Sequence, residues 1–147
     1  MISSKDEKVL ENGEKLSKCT ISDIDKTVGE VLRILRNIRV GITFDEYELQ
    51  HLIAELLEKS NIHFKKEYKL AARNRIDFLV EGGIGIEVKK GKPNRAQVSR
   101  QLERYAAFSE VKAVILVVER SVNISSDVNG KKCILFGLNR LWGVALG

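Results

Sequence analysis

Two acidic residues and one lysine near the middle of the chain have types and spacing suited to phosphate chemistry. Asp77 lies in a strand-like segment at residues 75–80, and Glu87 and Lys89 lie in another at residues 84–89. Two facing carboxylates repel unless a positive charge compensates them, and Mg²⁺ does so while keeping water and substrate phosphate oxygens as ligands. Lys89 could activate an attacking water or stabilise charge on the phosphate. Together these groups meet the requirements of phosphodiester hydrolysis.

The turn at residues 81–83 decides whether these side chains meet. A three-residue turn pairs residue 80 with residue 84 and Asp77 with Glu87, whose Cβ atoms then lie about 5 Å apart. An even-length loop would place the two acids on opposite faces, so the predicted site depends on this register. Because side chains alternate along a strand, the hairpin has two distinct faces. One face is expected to carry Arg75, Asp77, Leu79, Gly85, Glu87 and Lys89, and the other Ile76, Phe78, Val80, Ile84, Ile86 and Val88.

The hydrophobic pattern predicts an α/β (α+β) fold in which helices cover both faces of a mixed central sheet. Three meandering strands followed by a helical crossover to a buried strand indicate this arrangement. The predicted order is helices at 23–39 and 44–59, strands at 62–70, 75–80 and 84–89, a helix at 95–109, and strands at 112–119 and 132–136. We expect a polar loop at 121–129, an apolar segment of ambiguous type at 138–146, and a flexible arm at 1–20.

The acidic pair and the lysine resemble the active-site motifs of the PD-(D/E)XK nucleases. Asp77 matches the first acid, and Glu87-Val88-Lys89 closely matches the (D/E)XK motif. Ile76 stands where the family has a proline that varies among members and takes no part in the chemistry. The resemblance implies that Asp77, Glu87 and the backbone carbonyl of Val88 hold Mg²⁺, with Mn²⁺ able to substitute, and that Lys89 is the catalytic lysine.

The resemblance covers about residues 43–119 and implies a restriction-endonuclease-like core. We expect a single nuclease domain at residues 21–147, with an additional N-terminal helix within 22–40. The expected function is a metal-dependent DNA endonuclease, with branched, nicked or flapped DNA as candidate substrates. Two alternatives stay open: a non-catalytic nucleic-acid-binding domain on the same scaffold, and an RNA-cleaving nuclease. Small members of the family commonly dimerise, so the resemblance also implies a homodimer.

A further acidic candidate precedes the hairpin. Members of this family often carry an acidic residue on that helix, and Glu46 and Glu48 are both in position. The predicted buried stripe centres on Leu49 and Ile53, and at about 100° per residue Glu46 lies closer to it than Glu48. Glu46 is therefore the better candidate for a catalytic contact. A capping box between Thr43 and Glu46 would instead engage Glu46 at the helix terminus.

The helix after Lys89 is similar to the Gln-x-x-x-Tyr element of the exonuclease-like branch of the family, with Gln101 and Tyr105 in the two positions. Gln101 is predicted to reach the active site, and Gln97, one turn earlier, is the substitute candidate. Tyr105 is interpreted as a packing residue. These matches favour a nuclease over the alternative in which Glu87 and Lys89 form a solvated ion pair on an exposed face.

Basic residues outnumber acidic ones by 25 to 20, which gives a formal net charge of +5. This balance permits polyanion binding through phosphate attraction. Arg100 and Arg104 are one helical turn apart and would form a stripe beside the active strand, where they could contact phosphates without reading bases. A solvated basic face is the alternative. The predicted nucleic-acid-binding residues are Arg75, Lys90, Lys92, Arg95, Arg100 and Arg104.

The sequence carries neither a targeting signal nor a membrane-spanning segment that we can identify. Residues 2–18 lack the apolar stretch of roughly 7–15 residues that a signal peptide needs. The apolar run at 113–118 has about a third of the length of a membrane helix. Cys19 and Cys133 are too few for a disulfide framework or a zinc site. We therefore expect a cytoplasmic protein in a reducing compartment, with no membrane partner, of a kind that phages or mobile elements also encode.

Overall fold

The apolar segment at residues 113–118 forms the centre of a six-stranded mixed sheet. The computed structural model describes residues 21–41 and 43–140. The predicted arm at 1–20 and most of the ambiguous segment at 138–146 therefore lie outside the described residues. The strands are β1 (Phe64–Ala71), β2 (Asn74–Val80), β3 (Ile84–Lys89), β4 (Ala113–Val118), β5 (Asp127–Val128) and β6 (Lys131–Gly137).

The sheet has the spatial order β1-β2-β3-β4-β6-β5. The first three strands form an antiparallel meander, whereas β3, β4 and β6 run parallel, and β5 pairs antiparallel with β6. All six residues of β4 are buried, as expected for a parallel strand covered on both faces. The predicted mixed sheet, with a three-strand meander and a crossover to a further strand, is confirmed.

The described residues form three α-helices, α1 (Ile21–Leu35), α2 (Glu46–Lys59) and α3 (Arg95–Ala106). Side chains of α1 and α2 enter one hydrophobic cluster with the sheet, and side chains of α3 enter a second cluster on the opposite face. Helices therefore cover both faces, as predicted. Within the described ranges, none of these helices combines the length and the apolar character needed to cross a bilayer.

The first helix ends earlier than the apolar spacing predicts. It stops at Leu35 rather than Arg39, and the following residues form a turn in which the amide of Ile38 bonds to the carbonyl of Leu35. Ile38 is nevertheless fully buried, so it continues the apolar pattern outside the helix. The Asn37 and Arg39 side chains donate hydrogen bonds to carbonyls near the helix end, which replaces further helical bonds.

The second helix uses a different capping box from the predicted one. Asp45, not Thr43, is the N-cap: its side chain accepts a hydrogen bond from the Glu48 amide (2.7 Å), and Glu48 Oε1 accepts one from the Asp45 amide (3.2 Å). Asp is a stronger N-cap residue than Thr, which favours this start. The prediction that a capping box would engage the Glu46 side chain is therefore wrong. The Glu46 carboxylate is free of the cap and can contact the sheet.

The expected alternation of β2 does not hold along the whole strand. Phe78 and Val80 pack with α1 and α2, but Ile76 packs with α3, on the face where Leu79 also lies. The prediction that Ile76, Phe78 and Val80 share one face is thus wrong. The interruption lies at Asp77, opposite Glu67 of β1, whose φ of +51° breaks the regular pleat.

The predicted loop at 121–129 contains the short strand β5. A turn at Asn129 and Gly130, both with positive φ (52° and 77°), joins it to β6. Asn-Gly is the strongest short hairpin signal in a sequence, so this strand could have been predicted from its turn. Because β5 has only two residues, it shows no alternation of polar and apolar residues by which a strand is recognised.

Gly85→Ala is expected to lower the free energy of unfolding by about 1–3 kcal/mol, because an added Cβ would collide with the buried Ile76 Cδ1. Adding Ile76→Val removes that methyl group and should recover part of the loss. Gly29→Ala in α1 is the control: its Cβ meets no heavy atom within 4 Å, and a gain of about 0.5–1 kcal/mol is expected. Urea unfolding measures all four proteins. If Gly85→Ala were as stable as wild type, the placement of Ile76 on the α3 face against Gly85 would be refuted.

Candidate active site

Asp77 and Glu87 lie where β2 and β3 stop pairing through their backbones. The described ladder pairs Val80 with Ile84 and continues to Phe78 and Ile86, which confirms the predicted three-residue turn and its register. Beyond it, side chains replace the backbone bonds. The Asp77 amide donates to Glu87 Oε1 (3.3 Å), and the Val88 amide donates to Asp77 Oδ2 (2.8 Å). The two carboxylates are therefore held together at a fork between the strands.

Glu87 is a buried acid and not part of a solvated ion pair. It is 5% exposed and is the single buried charged side chain in the part of the chain that the structure describes. Its Oε2 lies 3.3 Å from Lys89 Nζ and accepts a hydrogen bond from Gln101 Nε2 (3.3 Å). Its Oε1 accepts from the Tyr105 hydroxyl (3.2 Å). The alternative of an exposed Glu87–Lys89 pair is wrong, because Glu87 faces α3 inside the protein.

Gln101 and Tyr105 lie one turn apart on α3 and act together on Glu87. Gln101 Nε2 also donates to the Tyr105 hydroxyl (2.9 Å), which in turn lies 2.9 Å from the carbonyl oxygen of Arg75. Burial and the nearby Glu87 charge raise the pKa of Tyr105 far above its usual range, so the hydroxyl stays a donor. Tyr105 is buried in the cluster on the α3 face, as a packing residue should be, and its hydroxyl also contacts Glu87, which its position in the sequence does not predict. Gln97 is exposed, and the Asn94 N-cap side chain accepts from its amide.

The acidic pair lacks sufficient positive charge around it. Burial and, after it, the Asp77 charge raise the pKa of Glu87 from 4.5 to about 7, although Lys89 and the Asp77 amide act in the opposite direction. Burial also raises the pKa of Asp77, while the Val88 amide and Lys89 lower it. Raised carboxylate pKa values mean that the site disfavours two negative charges in the absence of a further cation.

The chemistry of this donor set fits a hard divalent cation. Asp77 and Glu87 converge, and the predicted third ligand, the Val88 carbonyl, lies on the strand beside them. Within residues 21–41 and 43–140, no group of three or more His, Cys, Asp or Glu side chains is arranged to enclose a metal ion. Mg²⁺ does not require such a cage, because it commonly binds one or two carboxylates and keeps water and phosphate oxygens as ligands. The residues present therefore fit Mg²⁺ or Mn²⁺ better than a structural zinc.

Glu46 reaches the same region from α2. Its Oε2 accepts a hydrogen bond from the Lys90 amide (3.2 Å), just beyond the end of β3. Its charge, like that of Glu67, contributes to raising the pKa of Asp77. Between the two acidic candidates on this helix, the structure thus brings Glu46 to the acidic pair and uses Glu48 in the cap.

Besides Lys90, three of the six predicted nucleic-acid-binding residues line two hollows that adjoin at the candidate active site. Arg100 lines a hollow of about 490 Å³ beside Lys89, Arg75 lines one of about 510 Å³ beside Asp77, and Arg104 and Gln101 line both. Arg104 Nε also donates to Asn74 Oδ1 (3.2 Å). The second hollow includes two basic residues that the sequence prediction omitted although they lie just upstream, Lys69 and Arg73.

The other three predicted binding residues are placed differently. Lys90 lines the first hollow, but its Nζ lies 3.8 Å from Glu119 Oε1 and 5.3 Å from the centroid of the Phe44 ring. Lys92 is exposed in the loop before α3. Arg95 lines a separate hollow between α3 and residues 123–129. The structure therefore does not bring Arg95 together with the acidic pair.

Without divalent cations, the protein is expected to lose stability as pH rises from about 4.5 to above 7. The pKa of Glu87 is higher in the folded state, so folding retains a proton that the unfolded chain releases, and the stabilisation is greatest below pH 4.5. A pKa difference of about 2.5 corresponds to about 3 kcal/mol. The pKa of Asp77 is also raised, so its ionisation lowers the stability in the same direction. Urea unfolding in EDTA at pH 5 and pH 8 measures the loss, and Glu87→Gln should remove most of it. The same loss in both proteins would show that Glu87 ionises normally.

No protein-family model matches this chain, and neither a curated protein nor a solved structure matches it.

Proposed function

We propose that this chain is a metal-dependent nuclease of the PD-(D/E)XK type, with a restriction-endonuclease-like core at residues 43–119. The observation that carries the proposal is the buried Glu87, held beside Asp77 and Lys89 with its pKa raised to about 7. Strongly perturbed pKa values cluster at active sites, where burial and neighbouring charges shift them, and this supports the proposal. The +5 net charge and the basic hollows supply attraction for a phosphodiester chain.

Each residue of the site has a distinct task in the proposed hydrolysis. Asp77, Glu87 and the Val88 carbonyl would hold Mg²⁺, which supplies charge for the phosphate and lowers the pKa of bound water. Lys89, 28% exposed, is the basic group able to contact both the water and the phosphate. It orients the water for attack on phosphorus. The new P–O bond forms as the water gives up a proton to solvent, and the P–O bond opposite the attack breaks. The leaving oxygen takes up a proton from solvent water and departs as a hydroxyl group.

The proposed substrate is DNA, and the two hollows support cleavage within the chain. The two basic hollows extend from the acidic pair in different directions and share Gln101 and Arg104. A polynucleotide could therefore contact basic side chains on both sides of the scissile phosphate, as an endonuclease requires. The residues concerned contact phosphate and not sugar, so DNA and RNA must be compared directly.

Asp77→Asn, Glu87→Gln and Lys89→Met are each expected to reduce Mg²⁺-dependent cleavage at least about 100-fold, because each removes a group required for charge stabilisation or water activation. The measurement is cleavage of labelled plasmid, branched DNA and RNA with Mg²⁺ or Mn²⁺. Glu81→Gln, at the other end of the same hairpin, is the matched acidic control. Lys59→Met is the basic control, because it lies at the far end of α2, about 20 Å from Glu46. Both controls should cleave at the wild-type rate.

Three results would contradict the proposal or narrow it. Wild-type cleavage by Glu87→Gln or Lys89→Met would refute the assigned mechanism. Salt-sensitive binding of DNA without any metal-dependent cleavage would indicate a non-catalytic binding domain. Cleavage of RNA in preference to DNA of the same sequence would assign the chain to the RNA-cleaving alternative.

Tyr105→Phe should raise the Mg²⁺ concentration needed for half-maximal cleavage about tenfold, because a residue that orients a metal-binding carboxylate contributes to metal affinity. At saturating Mg²⁺ most of the wild-type rate should return, since Tyr105 positions Glu87 and contacts no substrate atom. Tyr68→Phe is the control, because the Tyr68 hydroxyl donates to Glu110 Oε2 (2.9 Å) instead. An unchanged Mg²⁺ requirement in Tyr105→Phe would mean that its hydroxyl only supports packing.

A further inference from the structure

Tyr47 is an exposed aromatic residue next to the candidate active site. It follows Glu46, whose carboxylate accepts the Lys90 amide, so its Cα lies about 3.8 Å from that of a residue in contact with the site. Tyr47 is 70% exposed and, with Ile21, is one of two large apolar side chains that are strongly exposed among the described residues. The packing of α2 leaves the Tyr47 side chain on the solvent face of the helix. At about 100° per residue, Tyr47 points roughly 160° away from Leu49, the first residue of the buried stripe.

The ring of Tyr47 has a cationic neighbour. Lys66 Nζ on β1 lies 5.7 Å from the ring centroid, within the distance of a cation–π contact. The contact holds an exposed aromatic ring at the surface, where a planar base can stack on it.

The two sides of the site therefore differ in chemistry. On the α3 side, Arg100 and Arg104 offer guanidinium groups suited to phosphates. On the α2 side, the Glu46 carboxylate lies against the Lys90 amide (3.2 Å), and Glu67 of β1 lies between the residues that pair with the two neighbours of Asp77. Acidic groups repel a phosphate backbone. A nucleotide on this side is better bound through its base, and Tyr47 is the group there that can bind one.

We propose that Tyr47 stacks on an unpaired nucleobase adjacent to the scissile phosphate, and that the substrate is single-stranded or splayed nucleic acid. This inference rests on the proposed function, which places the phosphodiester chain at Asp77 and Glu87. Stacking on a protein ring requires a base whose face is free. In a paired duplex, both faces of an internal base are covered by its neighbours. Aromatic side chains bind successive or single unpaired bases in this way without sequence preference.

The test measures affinity in EDTA, where the oligonucleotide stays intact. Fluorescence anisotropy with a labelled single-stranded oligonucleotide compares wild type, Tyr47→Ala and Tyr47→Phe. Tyr47→Ala should weaken binding at least about fivefold, the lower end of the range for one lost stacking contact. Tyr47→Phe retains the ring and should stay close to wild type. Ile21→Ala, which removes a comparably exposed apolar side chain on α1, should not change the affinity.

An abasic scan links the effect to one base. Each oligonucleotide lacks one base, at a different position. At one position, the missing base should weaken binding by wild type but should not further weaken binding by Tyr47→Ala. Both RNA and DNA are used, and Tyr47-dependent affinity for either polymer supports the inference and identifies the sugar that the site accepts. Equal binding by wild type and Tyr47→Ala overturns it. Failure of wild type to bind any single strand also overturns it.

Cleavage with Mg²⁺ is scored separately, so that the two proposals can fail independently. A wild-type protein that cuts nucleic acid but shows no dependence of affinity on Tyr47 refutes the stacking site alone. A protein that binds single strands through Tyr47 but cuts none refutes the nuclease function and leaves the stacking site supported.

Discussion

The free-energy cost of burying the Glu87 carboxylate is the constraint on which the rest of the site depends. An uncompensated carboxylate in a protein interior costs several kcal/mol. Four donors reduce this cost, namely the Asp77 amide, the Tyr105 hydroxyl, Gln101 Nε2 and Lys89 Nζ. They come from β2, β3 and α3, so these elements must be packed together before the carboxylate is compensated. The pKa of about 7 indicates that these donors compensate the Glu87 charge only in part. A cation bound beside Glu87 would therefore stabilise the folded protein.

The same constraint explains the departures of the hairpin from regular β-structure. The Asp77 amide bonds to a side chain instead of the β3 backbone, and the strands separate at that point. Ile76 then turns to the α3 face, where Gly85 leaves room for it. On the other side, Glu67 of β1 takes a positive φ. Local irregularity concentrated around one pair of acids is typical of a functional site.

Sequence reasoning succeeded where local chemistry decides the structure. The glycines of the 81–83 turn adopt positive φ and fix the register that brings Asp77 to Glu87. It failed where distant groups decide. Thr43 and Asp45 can both cap a helix, and nothing in their spacing shows which start leaves Glu46 near Lys90. The hydroxyl of Tyr105 likewise has its partners on β2 and β3, 30 and 18 residues away in the chain respectively. The helical period identifies the face of such a residue but not the atom that it contacts.

The electrostatics of the site also limit how a substrate can enter it. Arg100 and Arg104 attract a phosphate backbone along α3, while Glu46 opposes it along α2. A polyanion therefore has lower energy when its phosphates face α3 and its less polar groups face α2. This orientation presents base rings to the side where Tyr47 is exposed. In a paired duplex each base is stacked between its neighbours, whereas a single strand can rotate its bases outward. For the proposed substrate, the asymmetric charge that surrounds the buried carboxylate would thus favour flexible, unpaired nucleic acid over a rigid duplex.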